Sequence, residues 1–168
     1  MSASNSLRRH TVCALLCAAL TGFAWPAVAH EEHGHGMDES QHATPFGRPG
    51  DPHKVDRTIR IELSDAMRFS PASIVVRQGE TIRLVAANMG KTKHEMVLGT
   101  AAELKAHAEL MRKYPGMEHA DDSMVDVPAG KTAEIVWKFD TPGQFQYGCL
   151  IPGHFEAGMV GGIVVKPR

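Results

Sequence analysis

Cys149, His154 and Met159 follow one another at five-residue intervals in the run Cys149-Leu-Ile-Pro-Gly-His154-Phe-Glu-Ala-Gly-Met159. One thiolate, imidazole and a weak axial thioether make the donor set of an electron-transfer copper site. Copper alternates between a state that favours imidazole and a state that favours sulfur. A mixed set serves both with little rearrangement. Such a site needs a second imidazole, and His94 is the candidate, at the head of the short apolar run Glu95-Met-Val-Leu98. Iron–sulfur and structural zinc sites use more cysteines than this, and the Asp and Glu positions give no oxygen cage. The enzymatic competitor is a Cys149–His154 nucleophile pair. It is disfavoured because the cysteine falls at a predicted strand end, with no helix N-terminus behind it. The plain alternative is that Cys149 is a buried, inert thiol.

The setting sharpens the cysteine argument. Arg8 and Arg9 precede an uncharged apolar run over 11–24, and Ala27-Val-Ala29 has the small-x-small form of a cleavage site. Residues 1–29 therefore read as a signal peptide. The run is short for a bilayer span, so no membrane span is expected after cleavage. A retained anchor is the competing reading, and the flanks of Arg8-Arg9 do not choose between the general and twin-arginine export routes. Export points to the periplasm. Cys13 and Cys17 leave with the leader, so Cys149 is the one cysteine of the remaining 139 residues. An unpaired thiol in an oxidising compartment needs a reason, and a metal supplies one. The cleaved chain keeps 16 basic and 19 acidic side chains, a balance that gives no cause to expect a nucleic-acid partner.

Residues 30–53 read as a disordered tail. His30, His33, His35, Met37 and His42 stand close together there with several carboxylates. They could hold copper loosely, or could simply belong to a soluble His-rich tail. A second accessory candidate is Met111, Met117, His119 and Met124, since thioethers favour Cu(I). Its bland counterpart has Met111 in the core, Met124 starting a strand and the other two solvated. His53 and His107 read as surface residues, and Met96 as core.

The domain proper spans 54–168. Alternation over 55–63 marks a half-buried strand, and 64–70 reads as a connection. Further strands are expected at 74–77, 81–88, 95–98, 124–127, 132–139, 144–149 and 161–166. Thr100-Ala-Ala-Glu103 is a capping box that opens a helix to about Lys113, with Leu104, Ala108 and Met111 on one stripe and Pro115-Gly116 as the stop. The fold class is all-β: an antiparallel Greek-key sandwich with one short inserted helix. Such a fold can bring His94 and the Cys149–Met159 loop to one end.

The stretch Phe145-Gln-Tyr147-Gly-Cys149-Leu-Ile-Pro-Gly-His154-Phe-Glu-Ala-Gly-Met159-Val-Gly-Gly-Ile resembles the last two strands and ligand loop of cupredoxins, the plastocyanin/azurin-like blue copper proteins. The resemblance covers roughly Val55 to Lys166. It implies His94, Cys149 and His154 as equatorial copper ligands and Met159 as the axial one. The His-rich leader, His94-Glu-Met-Val-Leu-Gly and Cys-Leu-Ile-Pro-Gly-His are similar to periplasmic cupredoxins associated with copper tolerance. That implies protection against excess copper, by sequestering it or handling its redox state, more than service in a respiratory chain; a monomer without catalytic residues is expected. The rival is a soluble shuttle carrying electrons between larger redox proteins, docking through Leu150, Ile151, Pro152 and Phe155. A cuprous oxidase, with help from the accessory methionines, is the third reading. One departure stands out: many small cupredoxins carry an asparagine after the first histidine, bracing the ligand loops, and this chain has Glu95. Glu95 is read either as an outward-facing strand residue or as an additional copper ligand.

Overall fold

The computed structural model describes residues 44–115, 117 and 121–168. The His30–His42 cluster and His119 lie outside them. The strands are β1 (Arg48–Pro49), β2 (Arg57–Ser64), β3 (Arg68–Ser70), β4 (Ser73–Arg77), β5 (Thr81–Asn88), β6 (His94–Gly99), β7 (Met124–Val127), β8 (Thr132–Lys138), β9 (Gly143–Gly148) and β10 (Val160–Lys166), with helix α1 (Ala101–Lys113) between β6 and β7. They form two five-stranded sheets, ordered β1-β8-β5-β2-β3 and β4-β10-β9-β6-β7. The sandwich is as expected, but its sheets are mixed. β2 pairs parallel with β5, and β4 parallel with β10. Alternating hydrophobicity says which face of a strand is buried and nothing about its direction, so the two parallel pairings carry no sequence signal.

Period-two burial builds the core. Ile61 and Leu63 of β2, Ile82 and Leu84 of β5, Ile135 and Trp137 of β8, and Ile163 and Val165 of β10 all turn inward. β6 differs, being buried along its whole length. Met96 and Leu98 face the sandwich interior, while Val97 packs outward against Leu104, Ala108 and Met111 of α1 and against Leu150. The helix is thus a lid on the outer face of one strand. Its start is fixed by reciprocal Thr100–Glu103 capping, worth about 1 kcal/mol.

Two stretches depart from the sequence reading. Residues 44–53 fall in the expected tail, yet Phe46 is buried and stacks on Trp137 with ring centroids 5.2 Å apart. β1 then pairs with β8. A single apolar anchor among Pro and Gly residues is too sparse for any periodicity to reveal, and burying one Phe is worth about 1.5–3 kcal/mol. The second stretch is 64–70. It is a turn at Asp65–Met67 followed by β3, which closes back on β2 through Leu63 and Phe69. Each sheet ends in short strands. The edges are β1 with 2 residues, β3 with 3, β7 with 4 and β4 with 5.

Candidate metal centre

The Cys149–Met159 segment is the hairpin loop between β9 and β10, which pair antiparallel from Gly148–Val160 onward. Close packing holds that hairpin. Gly161 lies opposite Tyr147, where a Cβ would collide with the phenol ring. The Tyr147 hydroxyl donates to the Pro71 carbonyl at 2.6 Å, and burial pushes its pKa up to about 12. β6 lies on the other side of β9, with Val97 opposite Gly148. His94 therefore sits beyond the end of β9, level with the start of the loop, although 55 residues separate it from Cys149.

Here the sequence candidates converge. The donor atoms of His94, Cys149 and His154 all lie within 4.8 Å of one another. His94 Nδ1 is 3.2 Å from His154 Nδ1, which is 3.3 Å from Cys149 Sγ. Among the described residues these three make the one such group of His, Cys, Asp and Glu donors. His94 and Cys149 have no solvent exposure, whereas His154 is half-buried. Met159 is fully buried in the same core. Its backbone ties the loop together: its carbonyl accepts from Cys149 N at 3.1 Å and its N–H donates to the His154 carbonyl at 3.1 Å.

Burial raises the Cys149 thiol to about 12, although the backbone N–H groups of Glu95 and Ile151 beside the sulfur pull the other way. His154 is shifted down from 6.5, by desolvation first and by His94 second. A neutral imidazole and a thiol that ionises only with help suit capture of a cation that displaces the thiol proton.

Residues outside the motif brace the group. Asp65, in the β2–β3 turn, places Oδ1 3.2 Å from His94 Nε2. A carboxylate in this setting accepts, so Nε2 carries the proton and Nδ1 keeps its lone pair for the gap shared with Cys149 and His154. The Asp65 carboxyl is held well below the usual carboxylate range, chiefly by the Lys91 N–H and then by the Thr92 hydroxyl. Asn88 is buried and staples the same loop: Nδ2 donates to the Thr92 and Val127 carbonyls at 2.7 and 2.9 Å, and Oδ1 accepts from Gly90 N at 2.8 Å. Arg68, the first residue of β3, reaches the Ala157 carbonyl at 2.9 Å. The β2–β3 hairpin thus grips both donor-bearing segments.

Glu95 is neither outward-facing in the ordinary sense nor seen among the clustered donors. It lies on the outer face of sheet β4-β10-β9-β6-β7 but is only 6 % exposed, and its Oε1 accepts from Leu150 N at 2.7 Å. It ties the first His-bearing strand to the residue after Cys149, the bracing that the resemblance attributes to asparagine. Of the accessory candidates, Met111 packs in the buried stripe of α1, Met124 is half-buried against the same cluster, and Met117 is 40 % exposed.

The family of copper-binding proteins of the plastocyanin/azurin type matches residues 55–166. The chain is a cupredoxin. Copper-resistant cuproprotein CopI of Rubrivivax gelatinosus is 56 % identical over 158 residues, covering 91 % of this chain and 95 % of that one. Its counterpart of the same name from Vibrio cholerae is 34 % identical, covering 89 % and 93 %. Among solved structures, auracyanin B superposes with a TM-score of 0.58 at 20 % identity, covering 74 % of this chain and 97 % of that one. An azurin from Methylomonas sp. strain J gives a TM-score of 0.54 at 19 % identity, over 68 % and 99 %. These two likenesses speak for the cupredoxin fold alone. Copper is the cofactor of this family, and the donor chemistry here fits it: two imidazole nitrogens and one thiol sulfur converge in a largely dry pocket.

Proposed function

We propose that this cupredoxin is an exported, periplasmic copper-tolerance protein whose folded domain binds one copper ion through His94, Cys149 and His154, with Met159 as the weak axial ligand. The convergence of the three donors within 4.8 Å carries the reading. The copper-resistant cuproproteins to which the chain is similar supply its physiological direction. The bound ion supplies one-electron chemistry and a means of keeping reactive copper out of solution. The chain's own residues do the rest. His94 is oriented by Asp65, Cys149 is kept from water, and the Glu95 and Asn88 braces hold the donors in place before the metal arrives. This is a binding and redox-handling role with no catalytic residue assigned. The leader over 1–29 directs export and is removed, and the histidines at 30–42 collect copper for the domain. Among the described residues no helix is long and apolar enough to cross a membrane.

A second reading is a soluble electron shuttle. It is favoured by the half-buried His154 and by its neighbours Ile151, Pro152 and Phe155, which are apolar and partly or fully exposed, whereas Leu150, expected in the same patch, is buried against α1. A Cu(II) titration of the protein beginning at His30, followed by visible absorption and EPR, tests the site. One equivalent should develop an intense thiolate-to-copper band that Cys149→Ser abolishes. Copper uptake without that band, unchanged in Cys149→Ser, would sink the reading. Deleting 30–42 separates the two roles: a tolerance protein loses copper capture or protection, and a shuttle keeps its electron-transfer rates.

A further inference from the structure

Asp65 lies 29 residues before His94 and belongs to no metal-binding motif, yet it holds one face of the buried imidazole. Its carboxylate is surrounded by donors. Oδ2 accepts from Lys91 N at 2.8 Å, and Oδ1 accepts from the Thr92 hydroxyl at 2.8 Å, Thr92 N at 3.3 Å and His94 Nε2 at 3.2 Å. The approach of this group is built into the backbone. A Cβ on Gly90 would collide with the Asp65 carboxylate, so glycine there lets the loop backbone approach it, while the side chain keeps 39 % of its surface exposed. Through Arg68 at the start of β3 and the Ala157 carbonyl, the same hairpin is fastened to the loop that carries His154. Among the described residues no carboxylate hydrogen-bonds His154 in this way. The Nδ1 that it offers is shared with His94 and Cys149.

We propose that Asp65 is a positioning residue that tunes the copper centre through His94: its fixed negative charge, passed through the Nε2–H bond, makes Nδ1 a stronger donor and favours Cu(II) over Cu(I). A carboxylate behind a ligating imidazole fixes the tautomer and raises ligand basicity, and loss of such a partner costs 10- to 100-fold in metal affinity in known sites. A charge at this distance acts more strongly on the higher-valent ion, so the two oxidation states feel it unequally. This rests on the reading of His94 as a copper ligand.

The test compares wild type with Asp65→Asn, which keeps the shape and removes the charge, and with Gly90→Ala, which keeps the charge and displaces it. The ratio of Cu(II) to Cu(I) affinity is measured for each with competing chelators of known affinity for the two ions, and cross-checked as a midpoint potential. Asp65→Asn should lower the ratio about tenfold, equivalent to a rise of about 59 mV for one electron. Gly90→Ala should move it the same way by less. In copper-free protein, nitrogen-15 NMR should find His94 protonated at Nε2 in wild type and a mixture of tautomers in Asp65→Ala. An unchanged affinity ratio in both Asp65→Asn and Gly90→Ala overturns the proposal. Failure of the underlying reading looks different: wild type itself would give no thiolate-to-copper band.

Discussion

The two histidines of the donor cluster, proposed here as copper ligands, are held in opposite ways. His94 stands at the start of a strand buried on both faces, without solvent exposure, its Nε2 facing Asp65 and Thr92. His154 stands on a hairpin loop, half-buried and tilted 57° to the first ring at a centroid distance of 5.0 Å. Its loop is shaped by Gly153 and Gly158 at positive φ and by Glu156 accepting from Gly153 N at 2.9 Å. One imidazole is part of the core, and the other is part of the surface. A centre built this way is rigid where it meets the protein and open where it meets solvent or a partner.

The sharpest way to break that contrast is to delete each ring. His94→Gly opens a buried cavity in the core, so the copper-free protein should lose about 3 kcal/mol in urea denaturation. His154→Gly should cost less than about 1 kcal/mol. Added imidazole should restore the thiolate-to-copper band in His154→Gly, whose missing ring opens toward solvent, and fail to restore it in His94→Gly. Equal rescue of both would erase the distinction.

Glu95 marks the seam between the two halves. Glu95→Ala leaves the buried Leu150 N–H without its acceptor, an expected loss of about 2 kcal/mol. Glu95→Gln keeps an acceptor and should lose about half as much or less. Equal losses would mean that shape at this position matters more than the hydrogen bond.

The smallest effect is at mildly acid pH. The folded state holds His154 neutral below its ordinary 6.5, through desolvation and then through His94. As pH falls through 6.5 the unfolded chain takes up that proton first. Copper-free protein should therefore lose stability from about pH 6.5 downward until the folded ring also protonates. His154→Gln should show a shallower decline in denaturation midpoint over that window. Cys149 works in the other direction, because its folded thiol is raised to about 12 from 9.0. Its contribution is complete below pH 9 and fades between about 9 and 12.

Much of the architecture is legible without coordinates because its signals are local. The Cys149–Met159 spacing lies within one hairpin loop, the Thr100–Glu103 box caps a helix that runs Ala101–Lys113 as expected, and β5 and β7 fall on their anticipated residues. What escapes is whatever depends on packing between distant segments. Asp65 is an ordinary aspartate in a turn until the fold sets it behind His94. Phe46 is one apolar side chain in a polar stretch until Trp137 receives it. Glu95 reads as a strand charge until α1 and Leu150 cover its side of the sheet. The alternation that reveals β2 and β4 cannot say that each will pair parallel with its neighbour.

The short outer strands have a consequence for how much of this protein a cell can keep in solution. Under the proposed role, a molecule that holds one ion protects in proportion to its copy number, so association between copies would be a cost when it is crowded. Sheet margins with long rows of unpaired amides invite chains to add to one another. Here the margins are 2, 3, 4 and 5 residues long, and the long strands with the richest apolar content are interior. The fold thus leaves little template for fibre growth.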